Sequence, residues 1–267
     1  MKKAIFITGG ASGIGRAIAQ RFAEGGWFVG LGDVDADGMG KTEHLIGNGF
    51  TFAHTFDVRD RAAWDEALDA FSMACGGRID VVANNAGIPL GGSLDHTSVE
   101  EIERCLDINL KGVLFGAQAA LPYLKKSAPG SCLLNTASAA GIYGTAGASV
   151  YSATKFGVRA ITESLDGEWA EHGIKVRSIM PGFIETPLID KVPNSQSNEA
   201  IRDRVLAAGL EITPVADVGE AAWNAVHGDK LHTLVGKTAK RAAFAARWLP
   251  GQMRKQVRRG AGTMGGR

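Results

Sequence analysis

Short apolar runs alternate along the chain with longer segments whose apolar positions recur at helical spacing. The apolar runs predict buried strands, and the amphipathic segments predict helices between them. Because strands that alternate with helices form βαβ units, we predict an α/β fold, a doubly wound parallel sheet in three α/β/α layers. The predicted strands are Ala4–Thr8, Trp27–Leu31 with Asp33 at its end, Thr51–Phe56, Ile79–Ala83, Ser131–Thr136, Ile174–Met180 and Leu231–Val235. The predicted helices are Ile14–Glu24, Arg61–Ala74, Val99–Leu124 (ended by Pro122 and Pro129) and Val150–Glu171.

A glycine-rich turn, TGGASGIG over residues 8–15, joins the first predicted strand to the first predicted helix. Glycines let the backbone turn sharply, and they let a pyrophosphate approach a helix N-terminus, where free N–H groups and the dipole favour an anion. In open parallel sheets, ligands bind outside the carboxyl ends of the strands, where this turn lies. We therefore predict a dinucleotide site that includes Gly9, Ser12, Gly13, Ile14 and Gly15.

An acidic residue, Asp33, ends the second predicted strand. A carboxylate there can accept hydrogen bonds from an adenosine ribose and would repel a 2′-phosphate. No Lys or Arg lies between Asp33 and Lys41, and Ser12, which precedes Gly13, is uncharged. The sequence therefore favours NAD over NADP, with an ordinary solvated turn acid as the alternative interpretation of Asp33.

A phenol and an ammonium lie four residues apart, at Tyr151 and Lys155, and hence on one face of a predicted helix. A free tyrosine has a pKa of about 10 and needs a shift of about 3 units to exchange protons near pH 7, or roughly 4 kcal/mol. A cation at about 4 Å supplies roughly that much only where the effective dielectric constant is near 20. The pair therefore predicts a largely dry cleft.

Further motifs follow in order along the chain. Residues 84–87 read Asn-Asn-Ala-Gly, Asn109 lies in the third predicted helix, and Ser138 lies thirteen residues before Tyr151. With the glycine-rich turn, Tyr151-x-x-x-Lys155 and Pro181-Gly182, they resemble the short-chain dehydrogenase/reductase family over roughly residues 3–190. The resemblance implies a Rossmann-type, NAD-binding catalytic domain over residues 1–236. It also implies an NAD-dependent oxidoreductase that interconverts a secondary alcohol and a ketone.

The resemblance assigns four catalytic roles. Tyr151 resembles the family's general acid/base, and Lys155 resembles the residue that lowers its pKa and binds the nicotinamide ribose. Ser138 resembles the hydroxyl that orients the substrate oxygen, and Asn109 the asparagine that holds a proton-relay water to the lysine. Two plainer interpretations stay open: Ser138 as a capping or turn serine, and Asn109 as a satisfied core amide.

The resemblance also extends the cofactor site. Asp57 and Val58 resemble the pair beside the adenine, although Asp57 could instead cap the next helix or serve both roles. Asn84, Ala86 and Gly87 resemble the segment along the cofactor ribose, and a strand-end turn is the plainer interpretation. The segment that begins at Pro181 and ends at Thr186 resembles the loop that binds the carboxamide of the nicotinamide. Its expected contacts are the Ile184 backbone and the Thr186 hydroxyl.

The substrate region matches the family least. Residues 187–209 should form the mobile substrate lid, with Leu188, Ile189 and Val192 as its apolar members. The residues expected around the pocket are mostly apolar, so we predict an apolar alcohol or ketone as the substrate. They are Pro89, Leu90, Ala140, Ile142 and Tyr143.

Two other functions are considered. A sugar-nucleotide epimerase or dehydratase could use the same Tyr/Lys pair, but those relatives are longer and have a TGxxGxxG turn. A catalytically silent nucleotide-sensing protein would have no need of an acid/base tyrosine, so intact Ser138, Tyr151 and Lys155 argue against it.

Composition bears on the compartment. The three cysteines, Cys75, Cys105 and Cys132, are scattered, and the six histidines show no paired spacing, which suits a reducing environment and argues against a metal site. The apolar run Ala4–Ile7 is too short for a signal-peptide core. We predict a cytoplasmic protein and, from the resemblance, a homotetramer.

Charge is unevenly distributed along the 267 residues. Residues 230–267 contain ten of the 29 Lys and Arg and none of the 28 Asp and Glu, so residues 1–229 hold 19 basic against 28 acidic residues. With Phe244 and Trp248 four apart, residues 237–267 predict a basic amphipathic C-terminal extension that begins with a helix. We favour packing of this helix on the acidic body or a sister subunit; peripheral membrane contact comes next, and nucleic-acid binding is not expected.

Overall fold

A seven-stranded sheet, parallel throughout, forms the centre of the protein. The computed structural model describes residues 2–47, 49–195 and 197–264, with side chains up to Arg258. The strand order is β3-β2-β1-β4-β5-β6-β9, so the order reverses between β1 and β4. The strands are β1 (Ala4–Thr8), β2 (Phe28–Asp33), β3 (Thr51–Thr55), β4 (Val81–Asn84), β5 (Cys132–Thr136), β6 (Lys175–Pro181) and β9 (His232–Val235). A separate parallel pair consists of β7 (Phe183–Ile184) and β8 (Ile212–Thr213).

Helices cover both faces of the sheet. Successive side chains of a strand point to opposite faces, and β1 accordingly packs Ile5 and Ile7 with one layer of helices, and Ala4 and Phe6 with the other. The first layer contains α1 (Gly13–Glu24), α2 (Ala36–Ile46) and α8 (Val215–His227). The second layer includes α3 (Arg61–Ala74) and α5 (Gly112–Ser127). The other helices are α4 (Val99–Leu106), α6 (Ser149–Glu168), α7 (Ile201–Ala207), α9 (Gly236–Trp248) and α10 (Pro250–Met264). The predicted single-domain α/β/α fold is confirmed.

The third predicted helix differs from the prediction at two points. First, Pro122 does not end it but lies inside α5, which continues to Ser127. An interior proline costs about 3 kcal/mol. Burial of Ala119, Ala120 and Leu124 against the sheet offsets that cost.

Second, a π-helical turn over Asp107–Lys111 separates α4 from α5. Single π turns inside helices are frequent at functional sites. Asn109 lies in this turn and is fully buried.

Several elements were not predicted from the sequence. Gly38 and Gly40 obscure the pattern of α2, whose start is fixed when the Asp35 side chain accepts a hydrogen bond from Gly38 N at 2.9 Å. The α8 helix, the β7–β8 pair and α10 were also missed, and α7 lies within the predicted lid. The division into residues 1–236 and 237–267 stays a prediction.

Candidate active site

The predicted site residues collect at the carboxyl edge of the sheet. The glycine-rich turn follows β1, Asp33 ends β2, Asn84 ends β4 and Ser138 lies just beyond β5. Pro181 ends β6. Because the strands are parallel, their carboxyl ends share one edge, and this edge is where open α/β sheets bind ligands.

Close packing of backbone against backbone shapes the glycine-rich turn. A Cβ on Gly15 would lie 2.0 Å from Gly9 O, so no side chain fits there. Gly9 has a φ of +70°, in the left-handed region that favours glycine. Ser12, the N-cap of α1, makes no side-chain cap to the first turn, whereas Asp35, Asp60 and Ser98 cap theirs. The first-turn amides of α1 are therefore not used by a protein side chain, which fits a bound phosphate group.

Hydrogen bonds join this turn to the end of β4. Thr8 Oγ1 accepts from Asn85 N and Ala86 N, both at 3.1 Å, and donates to Ala83 O at 3.3 Å. Asn85 Nδ2 donates to Thr8 O at 2.9 Å. Thr8 and Asn85 thus position both segments predicted to bind the cofactor, a role that the sequence did not reveal because it depends on backbone partners.

The side chain of Asn84 lies in the interior. It is buried, and its Nδ2 donates to Asn135 Oδ1 at 3.0 Å and to Val113 O at 3.2 Å. Of Asn84, only the backbone is therefore left for the predicted cofactor contact, which Ala86 and Gly87 are predicted to share.

The carboxylate of Asp33 is fixed by the backbone. Its Oδ2 accepts from Ala11 N at 3.0 Å, and its Oδ1 accepts from Asp35 N at 3.1 Å. Arg16, which the sequence analysis did not single out, donates to Ala11 O and, at 3.0 Å, to Thr42 Oγ1. Asp33 is therefore a positioned acid beside the glycine-rich turn rather than a solvated turn residue.

Ser138, Tyr151 and Lys155 come together beyond β5. The Ser138 hydroxyl lies close enough to the Tyr151 phenol to favour its charged form, and it accepts a hydrogen bond from Ala140 N at 3.1 Å, so this serine caps a short turn as well. Lys155 Nζ lies 5.6 Å from the centroid of the Tyr151 ring and donates to Thr136 O at 2.9 Å. The phenol, the ammonium and the second hydroxyl thus lie close together beyond the carboxyl end of β5.

Desolvation has the largest influence on the pKa values of Tyr151 and Lys155. It raises the pKa of Tyr151 to about 12, against the opposing effect of the Ser138 hydrogen bond. It also lowers the pKa of Lys155 to about 8. Burial disfavours the charged form of both groups, so the tuning of the Tyr151 pKa by Lys155, which stays a prediction, has to overcome this desolvation.

Asn109 faces the lysine across a narrow space. Its Oδ1 accepts from Ile88 N at 2.8 Å, and its Nδ2 donates to Ile88 O at 2.9 Å and to Cys105 Sγ at 3.4 Å. A Cβ on Gly87 would lie 3.2 Å from Asn109 Oδ1 and 3.7 Å from Lys155 Nζ. Both groups thus line the space beside Gly87, and the amide is also well satisfied.

The predicted adenine pair is held by its neighbours. Asp57 forms an ion pair with Arg59 (Oδ2 to Nη2, 2.6 Å), and this contact holds the pKa of Asp57 below its usual value. Val58 O accepts from Trp64 Nε1 at 3.1 Å. The cap of α3 is Asp60, whose Oδ1 accepts from Ala62 N at 2.8 Å, so the capping role considered for Asp57 is wrong.

The loop after β6 closes over the glycine-rich turn. A Cβ on Gly13 would lie 3.3 Å from Thr186 Cβ, so the two segments are in contact. Thr186 Oγ1 donates to Ile184 O at 3.3 Å, and Ser138 Oγ lies 3.5 Å from Pro181 O. The predicted carboxamide loop therefore lies between the turn and the catalytic side chains.

The predicted lid lies across the opposite side of the cleft. Gly91 N donates to Pro193 O at 2.9 Å, and Ser195 N donates to Glu101 Oε1 at 2.9 Å. Ile189 is buried, whereas Val192 is 47% exposed. Of the lid's predicted apolar members, Ile189 therefore packs inward and Val192 faces solvent.

A family model described as short chain dehydrogenase matches residues 3–197 of the chain. The chain belongs to this family.

Two dehydrogenases and one solved structure are among the proteins similar to this chain. A 2,5-dichloro-2,5-cyclohexadiene-1,4-diol dehydrogenase of Sphingobium indicum is 37% identical over 194 residues, 72% of this chain and 76% of the relative. An NADP-dependent (R)-specific alcohol dehydrogenase of Lentilactobacillus kefiri is 32% identical over 231 residues, 84% of this chain and 88% of the relative. The fold is also similar to a crystal structure of a short chain dehydrogenase/reductase from Burkholderia phymatum in complex with NAD, with a TM-score of 0.83. The two sequences are 24% identical, and the match covers 96% of this chain and 95% of the other chain. That last likeness supports the fold.

As a short chain dehydrogenase, the protein is an oxidoreductase that works with a nicotinamide dinucleotide. Within residues 2–47, 49–195 and 197–264, no group of three or more His, Cys, Asp or Glu is arranged to hold a metal ion. Over the same described residues, no helix is both long enough and apolar enough to cross a bilayer.

Proposed function

We propose that the protein interconverts a secondary alcohol and a ketone with NAD as the hydride carrier. The observation that carries the proposal is the convergence of Ser138, Tyr151 and Lys155 in one largely desolvated cleft at the carboxyl edge of the sheet. A screen of diverse secondary alcohols with NAD and ketones with NADH, followed at the nicotinamide absorbance, tests it. No turnover with any member, by protein that binds NAD, would contradict it.

In the proposed reaction, each side chain handles the proton or the substrate oxygen. Ser138 donates a hydrogen bond to that oxygen, and Tyr151 takes its proton during oxidation or returns it during reduction. Lys155 stabilises the phenolate charge, which matters because desolvation holds the Tyr151 pKa high. When bound, the nicotinamide supplies the hydride acceptor or donor and, in its oxidised form, a further positive charge. Asn109 is proposed to hold a proton-relay water beside Lys155.

The cofactor is proposed to lie along the carboxyl edge of the sheet. The pyrophosphate would meet the first-turn amides of α1, which Ser12 leaves uncapped. The nicotinamide ribose would meet Tyr151 and Lys155. The remaining contacts are proposed at Gly9, Gly13, Ile14, Gly15, Asp33, Asp57, Val58, Asn84, Ala86, Gly87, Pro181, Ile184 and Thr186.

NAD is preferred in this proposal because Asp33 is held beside the glycine-rich turn by Ala11 N and Asp35 N. We expect Asp33→Ala to raise the NADP/NAD ratio of kcat/KM by at least about tenfold, since it removes a charge that repels a 2′-phosphate. Asp33→Asn, which keeps one acceptor oxygen for the backbone, should shift the ratio in the same direction. Steady-state kinetics with both cofactors measures it.

The exposed Asp37→Ala is the matched control and should leave the ratio unchanged. The relative from Lentilactobacillus kefiri is an NADP-dependent enzyme. If the wild-type protein has a higher kcat/KM with NADP than with NAD, the proposed NAD preference is wrong.

The space beside Gly87 offers a test of the proton relay. Gly87 does not have a positive φ, so alanine fits its backbone, and the added Cβ would enter the space between Asn109 and Lys155. We expect Gly87→Ala to lower turnover at least about tenfold, because it displaces a relay water. NAD affinity, measured by fluorescence titration, should change much less than turnover.

Gly167→Ala is the control, since a Cβ there meets no atom within 4 Å. Unchanged turnover in Gly87→Ala would remove the relay from the mechanism and leave Asn109 as a satisfied core amide.

We also propose an apolar substrate and a homotetrameric assembly. Leu90 and Ile189 are buried near the cleft and offer no charge to bind an anionic group. Leu106, Leu114 and Phe156 are 36%, 47% and 40% exposed on the neighbouring helices α4, α5 and α6. Members of the family form oligomers, and subunit association would cover this apolar surface.

A further inference from the structure

The outer face of α9 carries aromatic and cationic side chains together. We call it the α9 face, and it consists of Lys240, Arg241, Phe244, Arg247 and Trp248. Phe244 is 60% exposed and Trp248 is 63% exposed, whereas Ala239, on the inner side of the helix, is fully buried. The guanidinium of Arg247 lies 5.2 Å from the Trp248 ring centroid. Two large aromatic rings thus lie on the solvent side of a helix whose inner side consists of small residues.

The basic character continues into α10. Arg254, Lys255 and Arg258 are exposed, while Met253 and Val257 are half-buried. Residues 230–264 contain no acidic side chain, and the α10 helix packs on α9. Both helices therefore present a continuous positive surface.

Contact of these cations with acidic side chains of the body is concentrated at Glu211, near the start of α9. Lys237, in the first turn of α9, forms an ion pair with Glu211 (Nζ to Oε1, 3.4 Å). No other Lys or Arg of α9 or α10 with a described side chain is in an ion pair. The inner side of α9 thus packs on the body through small residues such as Ala239, as the sequence favoured, while its outer face is left open to a partner.

We propose that the α9 face, with α10, binds the surface of an anionic phospholipid bilayer. Cations attract the negative lipid head groups, and exposed tryptophan and phenylalanine insert at the boundary between head groups and acyl chains. No helix in the described chain can span a bilayer, so the binding is peripheral.

The arrangement of the α9 face favours lipid over a protein partner. The core of a protein interface is depleted of charged residues. Here each aromatic ring has an exposed cation beside it along the helix: Arg241 precedes Phe244 by three residues, and Arg247 adjoins Trp248. A bilayer accommodates this mixture because long basic side chains extend to the head groups while the rings lie deeper.

Sedimentation of the full-length protein with large vesicles tests the proposal. One set of vesicles is phosphatidylcholine alone and the other contains phosphatidylglycerol as well. We expect the protein to bind the anionic vesicles at least about tenfold more tightly than the neutral ones, and added salt should weaken the binding.

Two variants separate the contributions of the rings and the charges. Phe244→Ser/Trp248→Ser and Lys240→Gln/Arg241→Gln/Arg247→Gln should each reduce binding to anionic vesicles at least about tenfold. Met73→Ser is the matched control, since Met73 is 78% exposed on α3, and it should bind like the wild type. Circular dichroism and the native mass of each variant confirm that fold and assembly are kept.

Three outcomes overturn the proposal. The first is equal binding to neutral and anionic vesicles, or none to either. The second is wild-type vesicle binding by both variants. The third is a changed native mass of Phe244→Ser/Trp248→Ser without lipid, which would make the α9 face a contact between copies of the chain. None of these outcomes bears on catalysis at Tyr151, so the proposed function is tested separately.

Discussion

Tyr151→Phe is expected to lower turnover by about 10²–10⁴-fold, the range that a positioned acid/base group contributes. The variant keeps the ring and loses only the phenol oxygen, which lies beside Ser138 in the wild type. NAD affinity should change little, because the pyrophosphate and adenosine contacts proposed at residues 9–15 and Asp33 are untouched. Steady-state kinetics and a fluorescence titration of NAD measure the two effects.

Tyr123→Phe provides the matched control, since it also removes one phenol oxygen. Tyr123 hydrogen-bonds to Asp69, at a distance from the cleft, and its loss should leave turnover unchanged. If Tyr151→Phe retains most of the wild-type turnover, another group exchanges the proton and the proposed role of Tyr151 is wrong.

Lys155→Met is expected to separate activity from stability. Turnover should fall by about 10²–10⁴-fold, because the variant lacks the charge that stabilises the Tyr151 phenolate. At pH 7, however, the free energy of unfolding should be no lower than in the wild type. Burial lowers the Lys155 pKa from 10.5 to about 8, so keeping the ammonium charged in the folded protein costs about 3 kcal/mol. In Lys155→Met this desolvation cost disappears. The gain offsets the cost of about 1–3 kcal/mol that arises because Thr136 O loses its hydrogen-bond donor.

The pH dependence of the free energy of unfolding tests the burial of Lys155 more directly. Between pH 8 and 10.5 the unfolded wild-type chain binds more protons at Lys155 than the folded chain does, so this group makes stability rise with pH across that window. Lys155→Met lacks this contribution, and its stability should fall relative to the wild type as pH rises from 8 to 10.5. Urea unfolding without added nucleotide follows the difference.

Lys125→Met, at an exposed position, should show no such relative change. A parallel pH profile for Lys155→Met and the wild type would mean that Lys155 is not desolvated, and the electrostatic account of the cleft would be wrong.

The sequence predicted the parts of the site that local geometry determines. A glycine-rich turn between a strand and a helix, and a phenol and an ammonium one helical turn apart, depend on spacing along the chain and little else. The predicted strand β1 and helix α3 match the structure residue for residue, because their apolar patterns are regular and well bounded.

The contacts missed from the sequence depend on backbone atoms and long-range packing. Lys155 donates a hydrogen bond to the carbonyl of Thr136, and Arg16 donates one to the carbonyl of Ala11. Because every residue has a backbone carbonyl, the sequence does not reveal which one accepts. The π turn at Asn109 and the proline inside α5 follow from packing that local propensity does not contain. The rise of the Tyr151 pKa follows from a lack of water around the phenol, which a sequence reveals less readily than a neighbouring charge.

The hydrogen bonds around Thr8 have a consequence for how such an enzyme can diversify. They tie the glycine-rich turn to the end of β4, while the segment over the cleft is anchored elsewhere, through Pro193 and Ser195 to Gly91 and Glu101. The two anchorages share no residue. New substrate ranges can therefore arise by substitutions in residues 187–209 while the nucleotide half keeps its shape.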